Sequence, residues 1–148
     1  MDDCRGEKLT GRIIQCVIHL HQTPGPGFLE SVYRRALLIE LRKQNLATEV
    51  EKEVVVFFDN QDVGRHRLDL LVEGQVILEL KTVEALSRAH YAQVRSYLKA
   101  TRLGIALLIN FADDRADFRR VEPHDEISSI SQISPSPVLT LLANQSGR

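Results

Sequence analysis

Two neighbouring apolar segments of the chain each contain one carboxylate, and this feature most limits the folds open to it. Asp69 lies within the run 68–72, Leu-Asp-Leu-Leu-Val, and Glu79 lies within the run 76–81, Val-Ile-Leu-Glu-Leu-Lys. The pattern predicts two strands, over 65–72 and 76–81. A buried ionised carboxylate costs several kcal/mol unless it is paired or bound to a cation. We therefore expect the two acids to serve one site.

The length of the loop between these strands decides how the acids are oriented. A two-residue loop at Glu73-Gly74 pairs Asp69 with Leu78 and sends the two carboxylates to opposite faces. A three-residue loop, 73–75, pairs Asp69 with Glu79 instead. Gly74 favours this second register, because three-residue hairpins commonly place a glycine in the left-handed region. A shared metal site requires that register or an equivalent bulge.

Lys81 shares one face of its strand with Ile77 and Glu79, because side chains alternate along a strand. Two carboxylates a few ångströms apart repel, and a hard divalent cation such as Mg²⁺ or Mn²⁺ relieves that repulsion with oxygen ligands. Such a cation polarises a phosphodiester and lowers the pKa of a bound water. Lys81 can orient that water or stabilise charge on the phosphoryl oxygens. The alternative is a cross-strand salt bridge between Asp69 and Lys81 without metal.

The rest of the chain predicts helices around this hairpin. Helical spacing of apolar residues appears over about 7–21, 29–44 and 84–100, and strand-like runs appear over 54–58, 103–109 and 118–121. The strands over 54–58, 65–72 and 76–81 suggest an antiparallel meander, and the run over 103–109 suggests a strand covered on both faces. The expected fold is α/β or α+β, with element order ααβββαβ.

Length and composition favour one domain. At 148 residues and 43% hydrophobic content the chain can bury one core of ordinary size. After Glu122 the composition shifts to Ser, Pro, Ile and Gln. We predict a folded domain over 1–122 and a weakly structured Ser/Pro-rich tail over 123–148, with 138–142 as its docked segment.

The charge balance argues against a global attraction to nucleic acid. The 19 basic and 20 acidic residues nearly cancel, so contact with phosphates must be local. A set of basic residues beside the predicted site either forms a local rim for a phosphate backbone or is a scatter of solvated charges: Arg65, Arg67, Arg88, Arg95, Lys99 and Arg102.

Cysteine count and hydropathy indicate the compartment. Two cysteines are too few for a disulfide framework or for a metal centre built from thiolates of this chain alone. No apolar run approaches the roughly 20 residues that cross a bilayer, and the N-terminus lacks a signal-peptide pattern. We expect reduced thiols, a cytoplasmic location and no membrane partner.

Five pieces of the chain, in order over about 9–121, resemble the PD-(D/E)XK nuclease superfamily, and more closely the GxxExxY protein family. The naming motif is Gly27-Phe28-Leu29-Glu30-Ser31-Val32-Tyr33. The other pieces are Arg67-Leu68-Asp69-Leu70, Glu79-Leu80-Lys81, His90-Tyr91-Ala92-Gln93 with Tyr97-Leu98-Lys99, and Leu108-Ile109-Asn110-Phe111.

The resemblance implies a restriction-endonuclease-like core, a central mixed sheet flanked by helices. It implies that Asp69 and Glu79 are metal ligands and that Lys81 is catalytic beside them. Glu30 matches the superfamily's additional acidic residue, which completes the metal shell directly or through water. The proline often found before the Asp is replaced here by Leu68.

Two further residues are implied to touch substrate. Gln93 and Tyr97 lie four apart on one helical face and match the helix that packs against the site, where they contact substrate phosphate. Ordinary packing is the alternative for both. Glu30 has its own alternative, a surface ion pair with Arg34. His90 shares the face of Gln93 and is expected to be a solvated residue at the helix start.

Together these features predict a Mg²⁺- or Mn²⁺-dependent nuclease that hydrolyses phosphodiester bonds of DNA or RNA. The presence of Glu30, Asp69, Glu79 and Lys81 favours this enzyme. Near-neutral charge and small size favour the alternative, an inactive nuclease-fold domain that binds nucleic acid or a protein partner. A protein partner or a second copy of the chain is a further expected contact.

Overall fold

The computed structural model describes residues 3–123, and the predicted tail, with its docked segment 138–142, lies outside that range apart from residue 123. The elements are α1 (Asp3–Gln22), α2 (Glu30–Lys43), β1 (Thr48–Phe58), β2 (Gln61–Val72), β3 (Val76–Lys81), α3 (Arg88–Thr101), β4 (Ile105–Asn110) and β5 (Asp117–Val121). The predicted order ααβββαβ is confirmed, and the short strand expected over 118–121 closes it as β5.

The strands form one five-stranded sheet in the order β1-β2-β3-β4-β5. Strands β1, β2 and β3 form the predicted antiparallel meander, β4 runs parallel to β3, and β5 is antiparallel to β4. The parallel step needs a crossover connection, which α3 supplies. The sheet is therefore mixed, as expected.

The hairpin between β2 and β3 has the three-residue loop that Gly74 favours. Its ladder pairs Leu70 with Leu78, Leu71 with Ile77 and Val72 with Val76. Gly74 has a φ of 63°, in the left-handed region that glycine adopts without a steric penalty. This is the predicted three-residue register, which would set Asp69 opposite Glu79 if it continued by one more position.

Helices cover both faces of the sheet. Tyr33, Leu37 and Leu41 of α2 pack with α1 and with Leu78 and Leu80 of the sheet. On the other face α3 packs against the sheet through a second cluster, which includes Val94, Leu98, Ile77 and Leu108. Strand β4 is buried from Ala106 to Asn110, as its apolar run predicts. The site therefore lies in a sheet enclosed by helical layers.

Four element starts differ from the sequence expectation by four or more residues, since α1 begins at Asp3 instead of 7 and β2 at Gln61 instead of 65, in addition to β1 and α3. Strand β1 begins at Thr48 instead of 54. The sequence did not indicate its first half, because that half is largely exposed and lacks an apolar run. Helix α3 begins at Arg88 instead of 84, where Ser87 caps it. The Ser87 hydroxyl accepts a hydrogen bond from the His90 N–H at 3.4 Å, and His90 Nδ1 accepts one from the Ser87 N–H at 2.9 Å. This reciprocal cap fixes the start of α3.

Two further observations concern the cysteine on α1 and the character of the helices. Cys16 is a free, buried thiol on α1. Within residues 3–123, none of the helices combines the length and the apolarity of a membrane span.

Candidate active site

Asp69 lies where the sheet loses its regular pairing. The β2–β3 ladder ends at Leu70 and Leu78, one position before Asp69 and Glu79 would pair. The Leu80 N–H instead donates to Asp69 Oδ2 at 2.8 Å. A side-chain oxygen thus replaces a backbone acceptor, and the carboxylate is held between two strands that separate beyond it.

The other neighbour of β2 is irregular at the same position. Strand β1 pairs Val50 with Leu70 and Lys52 with Leu68, while Glu51, which lies opposite Asp69, has a left-handed φ of 50°. This conformation is costly for a residue with a side chain, and such residues often lie at functional sites. The irregularity of β1 therefore coincides with the candidate site.

Glu79 is a buried acid with one unsatisfied oxygen. Only 5% of its surface is exposed, Oε2 lies 3.2 Å from Lys81 Nζ, and Oε1 is buried without a hydrogen-bond partner. Burial, and then the charge of Asp69, raises the pKa of Glu79 to about 8, although Lys81 acts in the opposite direction. An unpaired carboxylate oxygen in such a position favours a proton on the acid, or calls for a cation or a water molecule as its partner.

Lys81 is held from two sides. Its ammonium group contacts Glu79 and donates to Gln93 Oε1 at 3.1 Å. Its backbone is fixed as well, since Lys81 is paired with Asn110 of β4 and its carbonyl accepts from the Phe111 N–H at 2.9 Å. The amine is therefore held in a defined position beside the buried carboxylate.

Glu30 is the first residue of α2 and lies near the same group of charges. Burial, and then the negative charge of Asp69, raises the pKa of Glu30, while Lys81 and Arg34 lower it. These interactions show that the structure brings the helical acid into electrostatic range of the two strand residues. All four residues predicted to be catalytic therefore lie in one region.

The spacing of the motif over 27–33 has a structural explanation. Gly27 has a φ of 103°, which lets the chain turn into α2. Tyr33, one turn into the helix, is fully buried, donates from its hydroxyl to the Gly25 carbonyl at 2.5 Å and accepts from the Phe28 N–H at 3.3 Å. Its ring stacks on Phe111 at 4.5 Å. The tyrosine thus fastens the loop that positions Glu30.

Arg34 is a site residue that the sequence reasoning did not assign. Its guanidinium lies 3.5 Å from Asp69 Oδ1 and 3.3 Å from Glu51 Oε1. The two ion pairs considered from sequence are not the ones found, since Arg34 is paired with these acids instead of Glu30, and Lys81 is paired with Glu79 instead of Asp69. One signal was present: Arg34 follows Glu30 by four residues and shares its helical face.

Helix α3 places Tyr97 and Gln93 near the charged residues of the site. Tyr97 is 5% exposed and packs edge-on against His66 at a ring distance of 4.8 Å. Burial raises the pKa of Tyr97, and the charges of Glu79, Asp69 and Glu30 raise it further. Gln93 is exposed apart from its contact with Lys81.

The acidic side chains of the site do not form a complete set of metal ligands in this structure. Among residues 3–123, no three or more His, Cys, Asp or Glu side chains are arranged to hold a metal ion. Glu30, Asp69 and Glu79 do not form such a group in this structure, in which the Leu80 N–H and Arg34 engage the oxygens of Asp69.

The residues nevertheless suit a hard divalent cation. Mg²⁺ is usually held by a small number of carboxylates together with water and substrate phosphate, and not by an all-protein cage. Glu79 Oε1 is a buried oxygen without a partner, which is the ligand type that this ion prefers. The donor set therefore fits the cation predicted from sequence.

Comparison with known proteins identifies the family. A family model described as the PD-(D/E)XK nuclease superfamily matches residues 7–121. The chain belongs to this superfamily. PD-(D/E)XK nucleases generally use divalent metals, and the mixed sheet with its flanking helices is the nuclease fold of that superfamily.

Solved structures with a similar fold include an alkaline exonuclease. The chain matches the crystal structure of SSO0001 with a TM-score of 0.52 and 19% identity, covering 77% of this chain and 55% of that one. It matches an alkaline exonuclease, LHK-Exo from Laribacter hongkongensis, with a TM-score of 0.51 and 14% identity, covering 79% of this chain and 65% of that one. The complex of LHK-Exo with dAMP matches with a TM-score of 0.50 and 15% identity.

These likenesses establish the fold alone, since all three identities are low. The chain spans between 55% and 65% of the length of these solved proteins. No curated protein gives a significant match to the sequence.

Proposed function

We propose that this PD-(D/E)XK protein is a divalent-metal-dependent nuclease of the GxxExxY kind, which hydrolyses phosphodiester bonds of DNA or RNA. The observation that supports it best is the unpartnered Oε1 of Glu79, buried between the charge of Asp69 and the ammonium of Lys81. Burying an ionised carboxylate is costly unless a cation compensates its charge, so a glutamate in this position supports a functional role.

The acidic residues would hold the cation, Mg²⁺ or Mn²⁺. Asp69 and Glu79 supply oxygens from adjacent strands, and Glu30 reaches the same region from α2, directly or through water. A bound divalent ion would polarise the phosphodiester and acidify a water molecule. Glu79 would lose its proton on binding, because only the carboxylate form is a ligand.

Lys81 would act on the reacting phosphate. Its ammonium is held by Glu79 and Gln93, so it is oriented before substrate arrives. An oriented cation stabilises charge that develops on phosphoryl oxygens, or orients the attacking water, at little reorganisation cost. Gln93 and Tyr97 lie on the same side and would contact the phosphate backbone.

The structural neighbours support nucleic acid as the substrate class. One of them is an alkaline exonuclease, and its complex contains dAMP. We assign the activity to a nuclease domain over residues 1–122, with residues 123–148 as an appended tail. A partner protein or a second copy of the chain would supply the basic surface for nucleic acid that a near-neutral chain lacks.

A second function is favoured by one contact. Arg34 and the Leu80 N–H already engage both oxygens of Asp69. If that arrangement is permanent, the protein is a nuclease-fold domain that binds nucleic acid or a protein partner without cutting. This alternative predicts nucleic-acid or protein binding that is independent of divalent metal.

The experiment that separates the two is calorimetry with Mn²⁺ and Mg²⁺, followed by cleavage of plasmid and oligonucleotides of DNA and RNA. We expect saturable metal binding and metal-dependent cleavage, both abolished by Asp69→Asn and by Glu79→Gln. Asp62→Asn is the matched control, since Asp62 is an acid of the same strand that pairs with Arg65 away from the site. Metal-independent nucleic-acid binding without cleavage would establish the alternative.

A further inference from the structure

Arg34 of α2 extends its guanidinium to the acidic residues of the candidate site. Its side chain is 19% exposed, and that of Asp69 is 13% exposed, so water screens their interaction only in part. The guanidinium contacts Oδ1 of Asp69, while the Leu80 N–H occupies Oδ2. The Asp69 oxygen that does not accept from the Leu80 N–H therefore already has a cation of the protein beside it.

A divalent ion and the guanidinium cannot both lie close to this oxygen at low energy. Two positive groups a few ångströms apart repel strongly where solvent is partly excluded. A carboxylate retains further lone pairs, so the competition arises from charge and not from a lack of acceptor sites. Metal binding and the Arg34–Asp69 pair must therefore oppose each other.

Glu51 offers the guanidinium another position. It lies 3.3 Å from Arg34, is 45% exposed, and belongs to the irregular point of β1 opposite Asp69. A planar guanidinium has five N–H donors, so it can keep Glu51 while releasing Asp69. Because β2 lies between β1 and β3, Glu51 offers this acceptor from the side of Asp69 away from the buried acid Glu79.

The geometry points to an exchange: Arg34 is the counter-ion of Asp69 in the metal-free protein, and a divalent ion takes its place while Arg34 remains on Glu51. This inference rests on the proposed metal-dependent function and adds to it a regulation of the site. Arg34 positions Asp69 before metal binds and weakens the affinity of the site for metal. Arg34 is therefore a positioning residue. Its removal should raise the affinity for metal, whereas removal of a purely structural ion pair would not.

The test uses the whole chain with Mn²⁺ alone in calorimetry, together with urea unfolding in the absence of metal. Arg34→Gln should bind Mn²⁺ about tenfold more tightly, equivalent to about 1.4 kcal/mol, and should be less stable without metal. Arg34→Lys keeps the charge and should bind Mn²⁺ as the parent does. Arg35→Gln, a change at an exposed neighbour on the same helix, is the matched control and should alter neither quantity.

Unchanged or weaker Mn²⁺ binding by Arg34→Gln overturns the exchange, because a merely structural pair would lower metal-free stability without improving metal affinity. Glu51→Gln provides a second measurement that does not depend on the folding of the first variant. It removes the negative charge that holds Arg34 on the Glu51 side, so Asp69 becomes the remaining anionic partner of the guanidinium in this pair of contacts and Mn²⁺ binding should weaken about threefold. Unchanged or tighter binding by Glu51→Gln contradicts the inference.

The experiment separates failure of this inference from failure of the proposed function. If the parent shows no Mn²⁺ binding that Asp69→Asn removes, the metal-dependent function and the exchange both fall. If the parent binds Mn²⁺ through Asp69 and the Arg34 and Glu51 variants bind as the parent does, the exchange alone falls.

Discussion

The backbone N–H of Leu80 donates a 2.8 Å hydrogen bond to Oδ2 of Asp69, so a carboxylate takes the place of a backbone acceptor at the end of the β2–β3 ladder. Leu80 is fully buried, which leaves its N–H no ready alternative in water. Asp69 therefore supports the sheet in addition to its proposed role as a metal ligand. Substitution can separate the two roles.

Asp69→Ala should cost about 1–3 kcal/mol of unfolding free energy, because it leaves the buried Leu80 N–H without an acceptor. Asp69→Asn retains an acceptor oxygen and should cost less, yet it removes the charge that a metal needs. Urea unfolding with and without Mn²⁺ measures both effects. Equal destabilisation by the two variants would show that the hydrogen bond to Leu80 contributes little, and Asp62→Asn should resemble the parent.

Tyr33→Phe should lower the unfolding free energy by about 0.5–1.5 kcal/mol, because the hydroxyl bridges the Gly25 carbonyl and the Phe28 N–H. The stack on Phe111 is retained, so the fold should survive. We also expect slower cleavage, since the loop that carries Glu30 loses its anchor. Unfolding curves and cleavage rates measure this, and Tyr91→Phe on α3 supplies the same chemical change as a control. Parent-like stability of Tyr33→Phe would contradict the anchoring role.

Glu79 should make the metal-free protein less stable as the pH rises. Its pKa is raised from an ordinary value of 4.5 to about 8. Between these values the folded protein keeps a proton that the unfolded chain has lost, so the unfolding free energy falls with rising pH and levels off above about 8. Below about 4.5 both states are protonated and Glu79 contributes no slope.

Glu79→Gln removes this ionisation and keeps the size of the side chain. The unfolding free energy of the variant, relative to that of the parent, should rise by more than about 1 kcal/mol across that pH range. Urea unfolding in the presence of a chelator measures this difference. Mn²⁺ affinity of the parent should rise over the same range, because binding displaces the proton. Parallel stability profiles for the two proteins would show that Glu79 ionises normally.

The hairpin that carries the site could be predicted because its information is local. The apolar runs over 68–72 and 76–80 indicate two strands, and of the two loop lengths open to the sequence the structure has the three-residue one with which Gly74 is consistent. The likeness of the motif over 27–33 added Glu30, which no periodicity would have placed beside the strands. Local pattern and motif together were enough to predict that three acids and one lysine, Glu30, Asp69, Glu79 and Lys81, lie in one region.

The ion pairs of the site could not be predicted in the same way. A long arginine side chain reaches several acids, and the docking of α2 on the sheet decides that Arg34 contacts Asp69 and Glu51. The left-handed conformation of Glu51 has no glycine or turn signal in the sequence. The start of α3 was missed because its Ser87 cap is completed by His90, and not by the Glu or Gln typical of a capping box.

Asn110→Ala should reduce activity more than metal binding, because Asn110 supports the segment that follows Lys81. Its side chain is 3% exposed, donates from Nδ2 to the Val83 carbonyl at 2.8 Å and accepts from the Val83 N–H at 3.1 Å. The lost contacts should cost about 1–3 kcal/mol of unfolding free energy. Lys81, paired with Asn110 across β3 and β4, should lose its fixed position.

Asn110→Asp tests the same contacts with a side chain of nearly the same size that cannot donate a hydrogen bond. It retains an acceptor for the Val83 N–H but sets a carboxylate against the Val83 carbonyl, so it should not restore the parent's rate. Cleavage kinetics and Mn²⁺ calorimetry on both variants give the comparison. We expect slower cleavage with Mn²⁺ affinity within about threefold of the parent, because neither change touches Asp69 or Glu79. A variant that is destabilised but cleaves at the parent's rate would confine Asn110 to a role in folding, since the position of Lys81 would then be independent of it.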